Sequence, residues 1–278
     1  MKIYTLSLAL GLLLLAGACK KSGSGDNKPN NPAYASSIRT SSSQSQIVDS
    51  FTYDAAHRLV IFAQYDLDTT SGTPLQASLI ATFAYANSSQ TPYAYTFEQQ
   101  TPAGSASAYH QLFYDGGYRI IKDSSLDGSG FVTYFSYPGN NIASRVVFGN
   151  PDDHQIDTQF VNNGNITAER IYYPNDAGTA DSLEASLQFG YSSLINPAYH
   201  AVTASSIGPL LHILTYDGFG GYSDYISANA LSKLSGLGLP SGQYISFAWT
   251  ADSKGRAGKA AVSLPGQAAG ALISCNYY

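Results

Sequence analysis

Cysteine is nearly missing from this chain of 278 residues: Cys19 and Cys275 are the two present, too few for a disulfide framework. Glutamate is nearly missing as well. Sixteen Asp stand against three Glu, and the imbalance speaks against helix, because Asp bonds nearby backbone and favours turns whereas Glu favours helices. One Met and one Trp accompany 22 Tyr, 12 Phe and 26 Gly, a composition suited to strands and turns. Charge is sparse, at 12% of residues, and no basic cluster extends beyond Lys20-Lys21. That argues against nucleic acid as a partner. No apolar run reaches the ~20 residues of a spanning helix. His-Glu-x-x-His, Gly-x-Ser-x-Gly, P-loop and Gly-x-Gly-x-x-Gly patterns are all absent, so no cofactor is implied.

What the chain does have begins at its first residues. Lys2, an apolar run from Ile3 to Leu15 and the small residues Ala16-Gly17-Ala18 read as a secretory signal. Cys19 directly after them resembles the lipobox of bacterial lipoproteins, a class in which that cysteine is acylated and becomes the first mature residue. Residues 1–18 are then signal peptide, and 260 residues remain, carrying 13 basic and 19 acidic side chains for a net charge of −6. Residues 19–33 hold Gly, Ser, Asn and Pro with no large apolar side chain, as expected of a flexible tether to the membrane. Residues 34–278 form a single domain. With Cys19 linked to lipid, Cys275 reads as a small buried apolar residue.

One triad, Phe-x-Tyr/Trp, punctuates that domain: Phe51-Thr52-Tyr53, Phe83-Ala84-Tyr85, Phe135-Ser136-Tyr137, Phe189-Gly190-Tyr191 and Phe247-Ala248-Trp249. Residues two apart on a strand share a face, so each triad sets two rings side by side. The flanks alternate too, as where Ala185, Leu187 and Phe189 oppose Glu184, Ser186 and Gln188. Period two with one polar face means half-buried antiparallel strands. Turn residues follow several triads, as at Asp54-Ala55-Ala56-His57 and Pro138-Gly139-Asn140-Asn141. The fold class is therefore all-β: a large antiparallel meander of consecutive hairpins with roughly a dozen strands, a curved open sheet or barrel-like. At most one short helix is expected, at Ser227 to Ser235, where Ala230, Leu231 and Leu234 fall on one helical face.

Little points to chemistry. His57, His110, His154, His200 and His212 read as turn or strand residues, without the spacing of a zinc site or a catalytic partner, so no catalytic or metal residue is assigned. The acidic stretches Asp152 to Asp157 and Asp66-Leu67-Asp68 read as solvated turns, since the ligand pattern of a calcium loop is absent. Glu98, Glu169 and Glu184 give no reason to choose an acid. The triad rings read as cross-strand core ladders. Tyr222 and Tyr225, beside Gly220-Gly221, fit an exposed aromatic patch able to stack on sugar.

The turns Tyr53-Asp54-Ala55-Ala56-His57-Arg58-Leu59 and Tyr114-Asp115-Gly116-Gly117-Tyr118-Arg119-Ile120 resemble the Tyr-Asp-x-x-Gly-Arg-Leu hairpin of Rhs/YD-repeat proteins, with His57 and Tyr118 where Gly is usual. The wider chain resembles Bacteroidetes lipoproteins assigned to a domain of unknown function with a porin-like β fold. The resemblance implies a barrel-like sheet on the cell envelope and no activity. It also makes Thr69 and Ser182 O-glycosylation candidates, since Asp68-Thr69-Thr70 and Asp181-Ser182-Leu183 are similar to the sequon of exported Bacteroidetes proteins. Lys20-Lys21 after Cys19, in place of early acids, favours an outer-membrane anchor facing the periplasm over the cell surface. The expectation is thus a non-catalytic scaffold that binds a glycan or an envelope protein. The alternatives are a carboxylate-dependent, glycosidase-like hydrolase and a membrane-inserted barrel.

Overall fold

The computed structural model describes residues 34–42, 45–68, 76–101, 104–175, 178, 180–203, 205–215, 225–236, 239–266 and 270–278. Sixteen strands close into one barrel. They are β1 (Ala35–Ser41), β2 (Ser45–Tyr53), β3 (Leu59–Asp68), β4 (Gln76–Tyr85), β5 (Pro92–Thr101), β6 (Gly104–Tyr114), β7 (Ile120–Ser125) and β8 (Phe131–Ser136). The second half is β9 (Ile142–Phe148), β10 (Asn150–Asn162), β11 (Asn165–Pro174), β12 (Asp181–Ile195), β13 (Asn229–Ser235), β14 (Ile245–Ala251), β15 (Ala257–Ser263) and β16 (Ala271–Tyr277). Each strand pairs antiparallel with its chain neighbours, and β1 pairs with β16, Ile38 opposite Cys275, to close the ring. The all-β meander expected from the sequence is therefore a closed barrel rather than an open sheet, with more strands than the composition suggested.

Helical structure lies elsewhere than expected. Ser227–Ser235 is not a helix; its larger part is β13. Its i, i+3 apolar spacing has a different cause: Gly190 pairs with Lys233 while the next residue, Tyr191, pairs with Leu231, so Ser232 is an extra residue. A bulge in a period-two strand leaves Leu231 and Leu234 both buried, which imitates a helical face. The helices are α1 (Tyr199–Thr203) and α2 (Gly208–Thr215), both in the connection from β12 to β13. That connection fills much of the chain between the triads at Phe189 and Phe247.

A barrel of sixteen strands encloses more space than wall side chains alone can fill. Here the β12–β13 connection fills one end. Leu210 and Leu211 of α2 are fully buried, and Tyr225 packs edge-on against Phe51 of β2 and Phe62 of β3. Wall residues from Ile120, Ile171, Leu187 and Ile273 complete this core. Outward positions mix charged and apolar side chains: Glu98, Arg170, Lys233 and Lys259 are exposed beside inward Phe97, Glu169, Leu234 and Ala260, and Tyr109, Phe113, Tyr134 and Leu272 are exposed on the same outer face.

The same end is stapled by a repeated turn. Asp54 Oδ1 accepts the backbone N–H groups of Ala56 and Arg58 at 2.9 and 3.0 Å, while Oδ2 takes Arg58 Nε at 2.7 Å. The guanidinium lies 4.6 Å from the Tyr85 ring centre, and the Tyr85 hydroxyl donates to the Leu59 carbonyl at 2.7 Å. Asp115, Arg119 and Tyr137 repeat this arrangement, as do Asp252, Arg256 and Tyr277. The fourth turn residue needs positive φ: His57 and Tyr118 adopt 60°, Gly255 77°. That explains why glycine is usual there. Every triad's second ring reaches a backbone carbonyl, Tyr53 to Ala35, Tyr191 to Ile166 and Trp249 to Leu231 among them. The triads are thus rivets as well as core ladders.

Candidate functional site

The opposite end of the barrel is a cavity of about 660 Å³. Its walls come from β3 to β10, and its floor is the C-terminal turn of α2, Ile213 to Thr215. Phe97, Phe131 and Phe148 give it aromatic faces; Gln64, Gln99 and Gln155 give amides; Asp66 and Asp127 give carboxylates. Among the described residues no lysine or arginine lines it.

Between this mouth and the apolar core runs a layer of buried polar side chains. His110 of β6 and Asp123 of β7 are 4% and 0% exposed, with Nδ1 of His110 2.9 Å from Asp123 Oδ1. Tyr95 donates its hydroxyl to Asp123 Oδ2 at 2.8 Å and stacks on the His110 ring at 4.6 Å. Burial, with the Asp123 carboxylate next in weight, drives the Tyr95 phenol well above its ordinary pKa. His110 is the member of this array that lines the cavity.

A second cluster ties the plug to the wall. His212 of α2 lies 2.8 Å from Glu169 Oε1, which Gln159 also bonds at 2.9 Å. Gln155 donates to both oxygens of Asp157 at 2.9 Å. Burial, then the nearby Glu169 charge, pushes the Asp157 carboxyl up to about 7. Asp49, hydrogen-bonded by Gln64 at 2.9 Å, is likewise pushed up to about 7, chiefly by burial. Asp127 stands at the mouth in the opposite condition: bonds from Ser125 and Ser129 hold it down to about 2.

The buried carboxylates are set apart from the cavity. Asp157 and Glu169 are near enough to interact, as a carboxylate pair should be, but both are buried, engaged by amide or imidazole donors, and outside the cavity lining. The Ser125 hydroxyl, across the ladder from His110, is committed to Asp127 at 2.5 Å and is not a nucleophile poised on the histidine. Among the described residues no three His, Cys, Asp or Glu gather as metal ligands.

The sequence-predicted sites fare unevenly. Cys19, Thr69 and Tyr222 lie outside the described residues. Ser182 is exposed on β12, opposite Tyr173. Tyr225 is not on an exposed patch: it is 1% exposed, packed between Phe51 and Phe62. The reason is that Tyr225 to Ser227 pack against the wall, where the Ser227 hydroxyl accepts the Ile166 N–H and donates to the Tyr191 hydroxyl. Asp152 and Asp153 are exposed where the β9–β10 register shifts, as a solvated turn would have them, but the stretch continues along β10 and Asp157 is buried; Asp66 is exposed on β3. His200 and His212 sit on helices. The missed residues left a faint signal: Glu169 shares strand parity with Ile171 and Tyr173, and Gln155, Asp157 and Gln159 alternate with Ile156 and Thr158.

No protein-family model matches the chain, and no curated protein matches it. Among solved structures, a porin-like protein from Bacteroides uniformis matches with a TM-score of 0.51 and 17% identity, over 89% of this chain and 99% of that one. A porin-like protein from Bacteroides vulgatus matches at 0.44 and 10%, with the same coverage. The chain has a porin-like β fold. Inside this wall a helical plug occupies one end, and a polar, aromatic-walled cavity the other.

Proposed function

We propose that this protein is a lipid-anchored envelope barrel that binds a small polar ligand in its open mouth, without catalysis and without passing solute through the wall. The cavity itself carries this reading. Its volume of about 660 Å³ falls in the range of small-molecule sites, roughly 300–1,000 Å³, and convergent polar groups sit among apolar walls as such sites require. The buried plug, held by His212 on Glu169, opposes a pore. Outward Arg170, Lys233 and Lys259 oppose insertion, because a basic side chain on a lipid-facing strand costs about 2–4 kcal/mol at mid-membrane. Acylated Cys19 and the tether through residue 33 would hold the domain at the outer membrane.

Native mass spectrometry of the protein purified from its own cells tests the reading. A bound small molecule, lost when Ala108 on the cavity wall is replaced by Trp, is the expected result; a conducting channel in planar bilayers would overturn it. Protease treatment of intact cells then decides the face, with survival expected for the periplasmic side.

A further inference from the structure

The geometry points to a neutral carbohydrate as the ligand, a short oligosaccharide read by Nε2 of His110. The inference rests on the mouth cavity being the binding site. An ionised carboxylate accepts hydrogen bonds and cannot donate them, so Asp123 Oδ1, at 2.9 Å, fixes the proton of His110 on Nδ1. Tyr95 donates to the other oxygen of the same carboxylate and stacks on the ring, which locks both tautomer and orientation. Nε2 is then the polar atom of the ring left to a ligand, and no described residue bonds it. Asp123 lies two residues toward the core from Ser125, the residue opposite His110, so the unbonded edge of the ring is turned to the mouth.

Around that atom the lining is complementary to a sugar. Phe131 meets the His110 ring at 5.9 Å and Phe97 at 6.4 Å, both edge-on, and Phe148 continues the aromatic wall from Phe131 at 6.0 Å. Such faces stack on the C–H side of a pyranose. Asp66, Asp127, Gln64 and Gln99 then accept from its hydroxyls. With no lysine or arginine among the described lining residues and two carboxylates present, anionic ligands are repelled. Asp123 and Tyr95 are positioning residues, and His110 is the contact.

The test is calorimetric titration of the full chain with maltotriose, xylotriose, laminaritriose and chitotriose, with trigalacturonate as the acidic counterpart. At least one neutral trisaccharide binds and trigalacturonate does not. His110→Phe keeps the stacked ring, removes the Nε2 hydrogen bond and weakens binding by about tenfold, the size of one hydrogen bond. Should that variant misfold, the wild-type protein answers alone: the ¹⁵N resonance of His110 Nε2 moves toward its hydrogen-bonded position as sugar saturates. Failure of every neutral sugar, or tighter binding of trigalacturonate, overturns the carbohydrate assignment. A different molecule displaced by Ala108→Trp would still stand for the cavity. Sugar binding unaffected by Ala108→Trp overturns the cavity reading too, and an unmoved Nε2 resonance overturns the role of His110.

Discussion

At the closed end of the barrel, aspartates sit in solvent-facing turns, each paired to an arginine that lies on a tyrosine; at the mouth and just below it, aspartates and Glu169 are folded into the wall. The same residue type does opposite work. Asp54, Asp115 and Asp252 are held below the ordinary carboxylate range because backbone N–H groups and an arginine outweigh what little burial they suffer. Asp49 and Asp157 are raised to about 7 because burial outweighs their hydrogen bonds. One end is optimised for stability, and the other keeps space and unpaired acceptor capacity at a cost to it.

The largest contrast should come from cutting rings. Phe62→Ala, at the closed end, is expected to cost about 3–5 kcal/mol by chemical denaturation. Phe148→Ala, on the half-open mouth, should stay within about 1 kcal/mol. Equal losses would mean that the mouth is packed as a core.

Acidity separates the ends next. Between pH 4 and 7 the folded protein keeps protons on Asp49 and Asp157 that an unfolded chain has released, so rising pH favours unfolding. Stability from these groups is full below pH 4 and lost through pH 7, a change on the order of 4 kcal/mol for each. The turn aspartates act in reverse, and their contribution fades as pH falls below 4. Thermal unfolding should therefore occur at higher temperature at pH 5 than at pH 8, and Asp49→Asn should flatten that difference. A melting temperature that climbs from pH 5 to 8 would contradict the buried layer.

Smaller effects probe the staples. Asp252→Ala frees two backbone donors and an arginine, and should cost about 1–2 kcal/mol. Tyr118→Gly should stabilise, by about 0.5–1 kcal/mol, since Tyr118 holds a φ of 60° while 69% exposed. His57→Gly should gain less, because His57 stacks on Tyr34 at 5.2 Å.

Much of the closed end was legible in the sequence. Period two, the Phe-x-Tyr/Trp triads and the Asp-x-x-x-Arg turns are local signals, and they give strands, inward rings and hairpins without knowledge of the whole. Barrel closure was not legible, since the pairing of β1 with β16 joins residues more than 230 apart by an ordinary antiparallel register. Nor was the plug: Tyr225 beside glycines reads as exposed until it is seen packed against the wall. The buried layer stayed hidden for a third reason. His110 and Asp123 come from different strands, and His212 meets Glu169 across 43 positions, so no spacing announces them.

The central claim is that the mouth admits small molecules to a wall that faces inward, while the other end is sealed. Ala108→Cys, reacted with a small water-soluble thiol reagent under native conditions, tests it against the built-in reference Cys275, which is 2% exposed. The account predicts rapid labelling at position 108 that ligand slows, with Cys275 untouched until the protein unfolds. Protection of both cysteines alike, or reaction of Cys275 at the same rate, would contradict it.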